Sequence, residues 1–270
     1  MTSSPTTTIR AFAESLAREA GALLMRYQRE GFTVDYKAAI DLVTTADRES
    51  ERLIIGAISQ RFPDHLIVSE ETLGAPMSAS PDQFVWYVDP LDGTTSFAHH
   101  YPTFAVSLAL YQNAQPLVGV IYDPSRDELF AAHQGGGVAC NREPIHVSRT
   151  GTLIESLLTS GFPYGVHESG DNVDGFERLT LLSRGVRISG AAALDMAWVA
   201  CGRLDGYWEP VIAPWDGAAG ALIVREAGGR MTNYDDQHWL PDMRPVLATN
   251  GVLHAAMLGA IQGFGEGITA

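Results

Sequence analysis

Cysteine is scarce here. Cys140 and Cys201 are the only two in 270 residues, and they stand far apart in sequence. Such a pair supplies neither the spacing of a zinc site nor a disulfide framework, so each is expected as a buried thiol. Positive charge is scarce as well: 18 Lys and Arg stand against 32 Asp and Glu, a net charge of −14. That balance argues against a nucleic-acid partner or an anionic membrane surface. No apolar run reaches membrane-spanning length, and residues 1–8, MTSSPTTT, lack the apolar core of a signal peptide. A soluble cytoplasmic protein is expected. Internal repeats and composition-marked linkers are also missing. Apolar residues, by contrast, are plentiful at 46%, enough for a sizeable core and incompatible with global disorder.

The most informative stretch is 86–97, WYVDPLDGTTSF. It opens as an apolar strand and then sets two carboxylates, Asp89 and Asp92, three positions apart. Pro90 between them has no N–H and a fixed φ, so a regular ladder is not expected to continue there. Gly93 permits unusual backbone angles, and Thr94 and Thr95 supply hydroxyls and amides. Taken alone, the motif reads either as an acidic surface turn or as a place to hold a hard cation beside a phosphate.

Residues 1–8 are expected as a frayed tail, followed by a single unit over 9–266 with a first half to about 148 and a second from about 149. Ile9, Phe12, Ala13, Leu16, Ala20, Leu23, Leu24 and Tyr27 form one face of a first helix ending near Gly31. FTVDYK is a short extended piece, and 39–62 reads as a turn feeding a second helix. Asp47 stands at that helix start, as a cap or as a functional acid. A strand over 65–69 ends in Glu70 and Glu71, which are either solvated or part of a site. Residues 72–83 form a loop, and a strand over 84–88 ends at Asp89. Neighbouring strands would bring those acidic ends to one rim, where α/β sheets bind ligands. His99 and His100 read as surface groups. Residues 103–133 predict a run of largely antiparallel strands, with turn signals at 135–137 and 141–144 and a further strand over 145–148.

The second half predicts a strand from about 153, a polar loop over 165–175, and a helix over 176–182. A short strand over 186–189 follows, then a small-residue helix over 191–201 and a strand over 206–212. A helix led by Asp216 then ends at Gly228 and Gly229. A hairpin, a strand over 246–250 and a last helix from 251 complete the chain. Asp216 reads as an N-cap whose carboxylate the helix dipole keeps ionised, and Glu209 as a rim or solvated acid. Glu70, Asp89, Asp92 and Asp216 all fall at element ends. Gathered together, they would repel one another and any phosphate ester unless cations intervened. Two divalent ions roughly 3.5–4 Å apart would resolve this and set up in-line attack of water.

DPLDGTTSF, with SEE upstream, DLVTTAD at 41–47, GAAALDMAWVACG at 190–202 and WDGAAGALIVREAGG downstream, resembles the inositol monophosphatase family of Mg²⁺-dependent, lithium-sensitive sugar-phosphate phosphatases. The resemblance covers about 9–265. It implies an α+β fold, a layered α/β/α/β/α sandwich shared with fructose-1,6-bisphosphatase, and a homodimer. It implies two or three Mg²⁺ per site, one held by Glu70, Asp89 and the Leu91 carbonyl, the second by Asp89, Asp92 and Asp216. Glu70 and Thr94 would orient the attacking water, with Asp47 supporting Thr94. Asp92 and the amides of Gly93 and Thr94 would meet the substrate and its phosphate. Gly190, Ala191, Ala192 and Glu209 would line the part of the pocket that reads the alcohol. The implied reaction is hydrolysis of a small polyol or sugar phosphate, inositol monophosphate first, without a phosphoenzyme.

The chain departs from the family pattern at Ser96, where Asn is usual, and at Ala191, where Ser or Thr is usual, so one hydroxyl near the substrate is missing. Thr95 stands where the histidinol-phosphate branch has Lys. Fructose-1,6-bisphosphate, histidinol phosphate and a 3′-phosphonucleotide are the alternative substrates. A haloacid-dehalogenase-type phosphatase is disfavoured because its acids are two apart, here three with Pro between. A regulatory protein that keeps the fold without catalysis is the alternative of another class, although no proposed metal carboxylate has been lost.

Overall fold

The computed structural model describes residues 5–36, 42–72, 82–163, 166–169 and 171–263. Expectations that fall on Lys37, Asp41, most of the loop over 72–83, part of the loop over 165–175 and the end of the chain lie outside them. Helix α1 runs Pro5–Glu30, so residues 5–8 belong to a helix and not to a frayed tail. A small hairpin, β1 (Val34–Tyr36) and β2 (Leu42–Thr44), leads into α2 (Thr45–Arg61). Next come β3 (Leu66–Ser69), β4 (Phe84–Asp92), the short α3 (Thr94–Ala98), β5 (Ala105–Gln112), β6 (Gln115–Asp123), β7 (Glu128–His133), β8 (Val138–Cys140) and β9 (Glu143–Pro144). The second half contains β10 (Leu157–Ser160), α4 (Val166–Ser169), α5 (Val173–Leu182), β11 (Gly185–Arg187), α6 (Ala192–Ala200), β12 (Gly206–Glu209), α7 (Pro214–Glu226), β13 (Arg230–Thr232), β14 (Val246–Thr249) and α8 (His254–Gln262).

Strands β3 to β9 pair in sequence order into one seven-stranded sheet; β3 and β4 are parallel and every later pair is antiparallel. The second sheet has the order β11-β10-β12-β14-β13. Side-chain parity shows how the layers stack. Val106, Leu108 and Leu110 of β5 join α1 and α2 in one core, whereas Ala105, Ala109 and Tyr111 join α6 and α7 in another. This central sheet is therefore buried on both faces, which is why β5 is apolar on both faces, with Ser107 the one polar residue before Gln112, instead of alternating. A third core packs α5 and α8 on the outside of the small sheet. The layers are α1/α2, large sheet, α6/α7, small sheet, α5/α8, the α/β/α/β/α sandwich that the resemblance implies.

Several local expectations are corrected. Residues 145–148 form no strand: the Ile145 and Val147 amides bond the Val138 and Ala227 carbonyls, one in a strand and one at a helix end, so no ladder can form. The strand expected from 153 begins with a 3₁₀ turn, Leu153–Glu155. The turn signals at 135–137 and 141–144 lie on either side of β8, and the second of them contains the two-residue strand β9. The polar loop over 165–175 contains α4 and the start of α5. The strand expected over 206–212 stops at Glu209, because Pro210 offers no N–H to a ladder.

Close approach sets helix α7. A Cβ at Gly119 of β6 would lie 2.9 Å from the Ala219 carbonyl, so glycine lets α7 rest directly on the sheet. The Ser107 hydroxyl of β5 also donates to the Trp215 carbonyl at 3.2 Å. The second contact holds the first turn of α7 against β5, the strand that pairs with β4 beside the acidic turn.

Candidate active site

The acidic turn lies inside β4. Asp89 pairs with Ser107 and Asp92 with Ala105, with a register shift between them, so three steps on β4 match two on β5. This is a β-bulge. In a regular strand, residues three apart face opposite sides. The extra residue resets the parity, and both carboxylates oppose the β5 residues that face α6 and α7. Gly93 ends the strand at φ 87, and a Cβ there would meet the Thr103 carbonyl at 2.8 Å, so only glycine fits the turn into α3.

A cleft of about 480 Å³ opens at this point. Glu70, Asp89, Leu91, Asp92, Gly93, Thr94, Gly190, Ala191, Ala192, Glu209 and Asp216 all line it, so the fold gathers nearly every site residue expected from the sequence. Asp47 is the exception. It is fully buried behind the cleft wall and reaches the cleft through Thr94, whose hydroxyl donates to Asp47 Oδ1 at 2.9 Å. The Asp47 Oδ2 also accepts the Thr44 amide at 2.8 Å and the Thr44 hydroxyl, closing a capping box in which Thr44 is the N-cap. Asp47 is therefore both a helix-start residue and a partner of the turn. Burial raises its pKa, and the bonds from Thr44 and Thr94 oppose that shift.

Asp89 is 1% exposed and accepts the Leu91 amide at 3.0 Å. The Asp92 carboxylate accepts the Ala192 amide at 3.1 Å and the Ala193 amide at 2.8 Å, pinning the start of α6 to the end of β4 across the middle layer. Asp216 is not the N-cap of α7; it sits in the first turn and accepts the Ala213 amide at 3.2 Å. Burial raises the pKa of Asp89 well above normal, with the charges of Glu70, Asp92 and Asp216 adding to the shift. Asp92 is raised likewise, by burial and then by Asp216. Among the described residues that line the cleft, Arg244 is the one basic side chain against six acids.

The donor set is carboxylate and carbonyl oxygen, suited to a hard divalent cation, and the mutual repulsion of these buried acids calls for one. Among the described residues, no three His, Cys, Asp or Glu side chains converge closely enough to hold an ion as they stand, so binding requires the side chains to close in. His99 and His100 are exposed, outside the cleft, and His100 Nδ1 pairs with Gln28 Oε1 at 2.7 Å. On the far wall, burial pushes Glu209 up to about 7, against a hydrogen bond from the Tyr207 hydroxyl at 2.5 Å.

Two residues escaped the sequence reading. Glu51, on the buried face of α2, accepts the Ser69 hydroxyl and the Glu71 and Thr72 amides on Oε1 and the Thr72 hydroxyl on Oε2, clamping the turn that presents Glu70. Asp195 lines the cleft from α6 and is 2% exposed. Both carry the same signal: an acid standing in an otherwise apolar helical stripe, with Ile54 and Ile58 in one case and Ala192 and Val199 in the other.

The five-layer fold and its acid-lined cleft together define the class, a layered phosphomonoesterase. A model of the inositol monophosphatase family matches residues 6–265, and the chain belongs to that family. It is 49% identical to an inositol-1-monophosphatase of Synechocystis, over 82% of this chain and 77% of that protein. It is 38% identical to the Nus factor SuhB of Pseudomonas aeruginosa, covering 91% of this chain and 93% of that one. The solved structure of inositol monophosphatase from Anabaena superposes with a TM-score of 0.87 at 42% identity, over 96% of this chain and 97% of the other. No helix among the described residues is long and apolar enough to cross a membrane.

Proposed function

We propose that this chain hydrolyses inositol monophosphate to inositol and phosphate, using Mg²⁺ held by Glu70, Asp89, the Leu91 carbonyl, Asp92 and Asp216. The observation that carries the reading is the buried Asp89, crowded by the charges of Glu70, Asp92 and Asp216 in a cleft that, among the described residues, is lined by six acids and a single base, Arg244. Bound Mg²⁺ would offset the excess negative charge, lower the pKa of water and stabilise the leaving oxygen. The other steps belong to the chain's own groups. Thr94 donates a hydrogen bond to Asp47 and keeps its proton, which leaves its oxygen lone pairs free to accept from the attacking water. Glu70, across the cleft on the turn held by Glu51, orients the same water. The amides of Gly93 and Thr94, at the start of α3, receive the phosphate oxygens. Asp92, Gly190, Ala191, Ala192 and Glu209 form the wall that faces the alcohol. The assembly we propose is a cytoplasmic homodimer, for which light scattering in solution is the check.

Phosphate release from inositol 1-phosphate, fructose-1,6-bisphosphate, histidinol phosphate and a 3′-phosphonucleotide, each with and without millimolar Mg²⁺, tests the proposal. Inositol 1-phosphate should be turned over fastest, and only with the metal. Failure to release phosphate from any of the four in Mg²⁺ would overturn the reading. The relative named as a Nus factor makes a second, non-catalytic role worth separating. Asp92→Asn should abolish turnover and leave a binding role intact.

A further inference from the structure

The alcohol wall contains a carboxyl group that nothing in the proposed hydrolysis uses. Asp195 sits on α6 three positions after Ala192, on the same helix face, and both line the cleft. It is 2% exposed, and among the described residues its Oδ1 has no hydrogen-bond partner. Glu209 lies near enough for its charge to raise the Asp195 pKa. The second polar lip of this wall, the hydroxyl usual at position 191, is absent because Ala191 stands there.

A buried carboxyl oxygen without a partner is costly, by the full desolvation of that group, and persists where something outside the free chain satisfies it. Burial is the leading cause holding Asp195 up to about 8, against the pull of the Ser189 and Thr159 hydroxyls. A carboxyl kept neutral at ordinary pH both donates and accepts, as a neighbouring hydroxyl does. Glu209, pushed up to about 7, offers the same chemistry alongside it.

We infer that Asp195 is a specificity residue that hydrogen-bonds a hydroxyl of the substrate's alcohol portion, acting with Glu209 to select phosphates of polyols with adjacent hydroxyls. The inference rests on the proposed phosphatase activity and narrows its substrate class. A site built to pair a hydroxyl discriminates against ligands lacking it, because its own buried group is then left unpaired.

The test compares inositol 1-phosphate with 4-nitrophenyl phosphate, whose ring carries no hydroxyl. Asp195→Ala should raise KM for inositol 1-phosphate about tenfold more than for the aryl ester, with the larger change in KM and not in kcat. Asp195→Asn, close in shape and still able to hydrogen-bond, should recover part of the difference. Equal losses on both substrates in both variants would overturn the inference, and lowered thermal melting alongside them would make Asp195 a structural residue. If the alanine variant does not fold, the asparagine variant decides: a several-fold split between substrates supports the inference, and no split overturns it. A wild-type protein that hydrolyses neither ester overturns the phosphatase proposal instead.

Discussion

The Thr94 hydroxyl donates to Asp47 Oδ1 at 2.9 Å, joining the first turn of α2 to the turn that closes β4. The two residues are 47 positions apart, and the bond is buried. The Leu91 carbonyl lies 3.1 Å from the same oxygen, and the shorter contact to the Asp47 carboxylate is the stronger claim on its single hydrogen.

Thr94→Val preserves shape and removes that hydroxyl. It should cost ~1 kcal/mol of stability, the price of one lost hydrogen bond. The kcat for phosphate release should fall by about 100-fold or more with KM changed little, as expected when a proton-accepting group is lost. Steady-state kinetics together with urea unfolding separate the two effects.

Asp89→Asn should have opposite effects with and without metal. The wild-type cluster buries mutually repelling acids, so the neutral side chain should stabilise the metal-free protein, by about 1 kcal/mol or more. The same change should remove most of the stabilisation that Mg²⁺ gives, which for a ligand at 100 times its Kd is about 2.7 kcal/mol. Thermal unfolding in chelator and in Mg²⁺ measures both signs.

Glu51→Gln keeps the length of the side chain but weakens its hold on the turn over 70–72. Glu70 should lose its fixed placement, and Mg²⁺ affinity should drop by about 10- to 100-fold, as is typical when a residue supporting a metal ligand is changed. Calorimetric titration with Mg²⁺ reads this directly, and no comparable loss is expected from Glu49→Gln on the exposed side of α2.

His254 gives the fold a defined acid sensitivity. The ring is buried between the Thr232 and Thr249 hydroxyls, 3.0 and 2.9 Å from its nitrogens, and burial followed by Arg230 lowers its pKa to about 4. In the unfolded chain it would titrate near 6.5. Between these values the unfolded state binds the extra proton, so stability contributed by the neutral ring is complete above 6.5 and is lost as pH falls toward 4. His254→Gln should flatten that part of the pH–stability curve relative to wild type, as followed by urea unfolding at stepped pH.

Much of this was legible in the chain because residue type and position were enough. Pro90 and Gly93 announced an interrupted strand, and Asp47 and Asp216 announced helix starts. The atoms they bond were not legible: both acids sit one turn inside the helix and reach back, while Thr44 and Ala213 hold the cap positions. Nor could spacing show that Asp89 and Asp92 share a face, since strand parity predicts the reverse and only the bulge opposite Ser107 and Ala105 restores it. Glu51 and Asp195 were visible as acids among apolar neighbours, but their partners come from distant elements or from outside the chain. The segment over 145–148 has the composition of a strand, and its failure to become one depends on which carbonyls its amides meet.

Anomalous diffraction from a crystal soaked in Mn²⁺ tests the central claim most directly. The account predicts strong peaks in the cleft within about 2.0–2.6 Å of oxygens from Glu70, Asp89, Asp92 and Asp216. An ordered cleft with no peak, or peaks bound only by other residues, would contradict it.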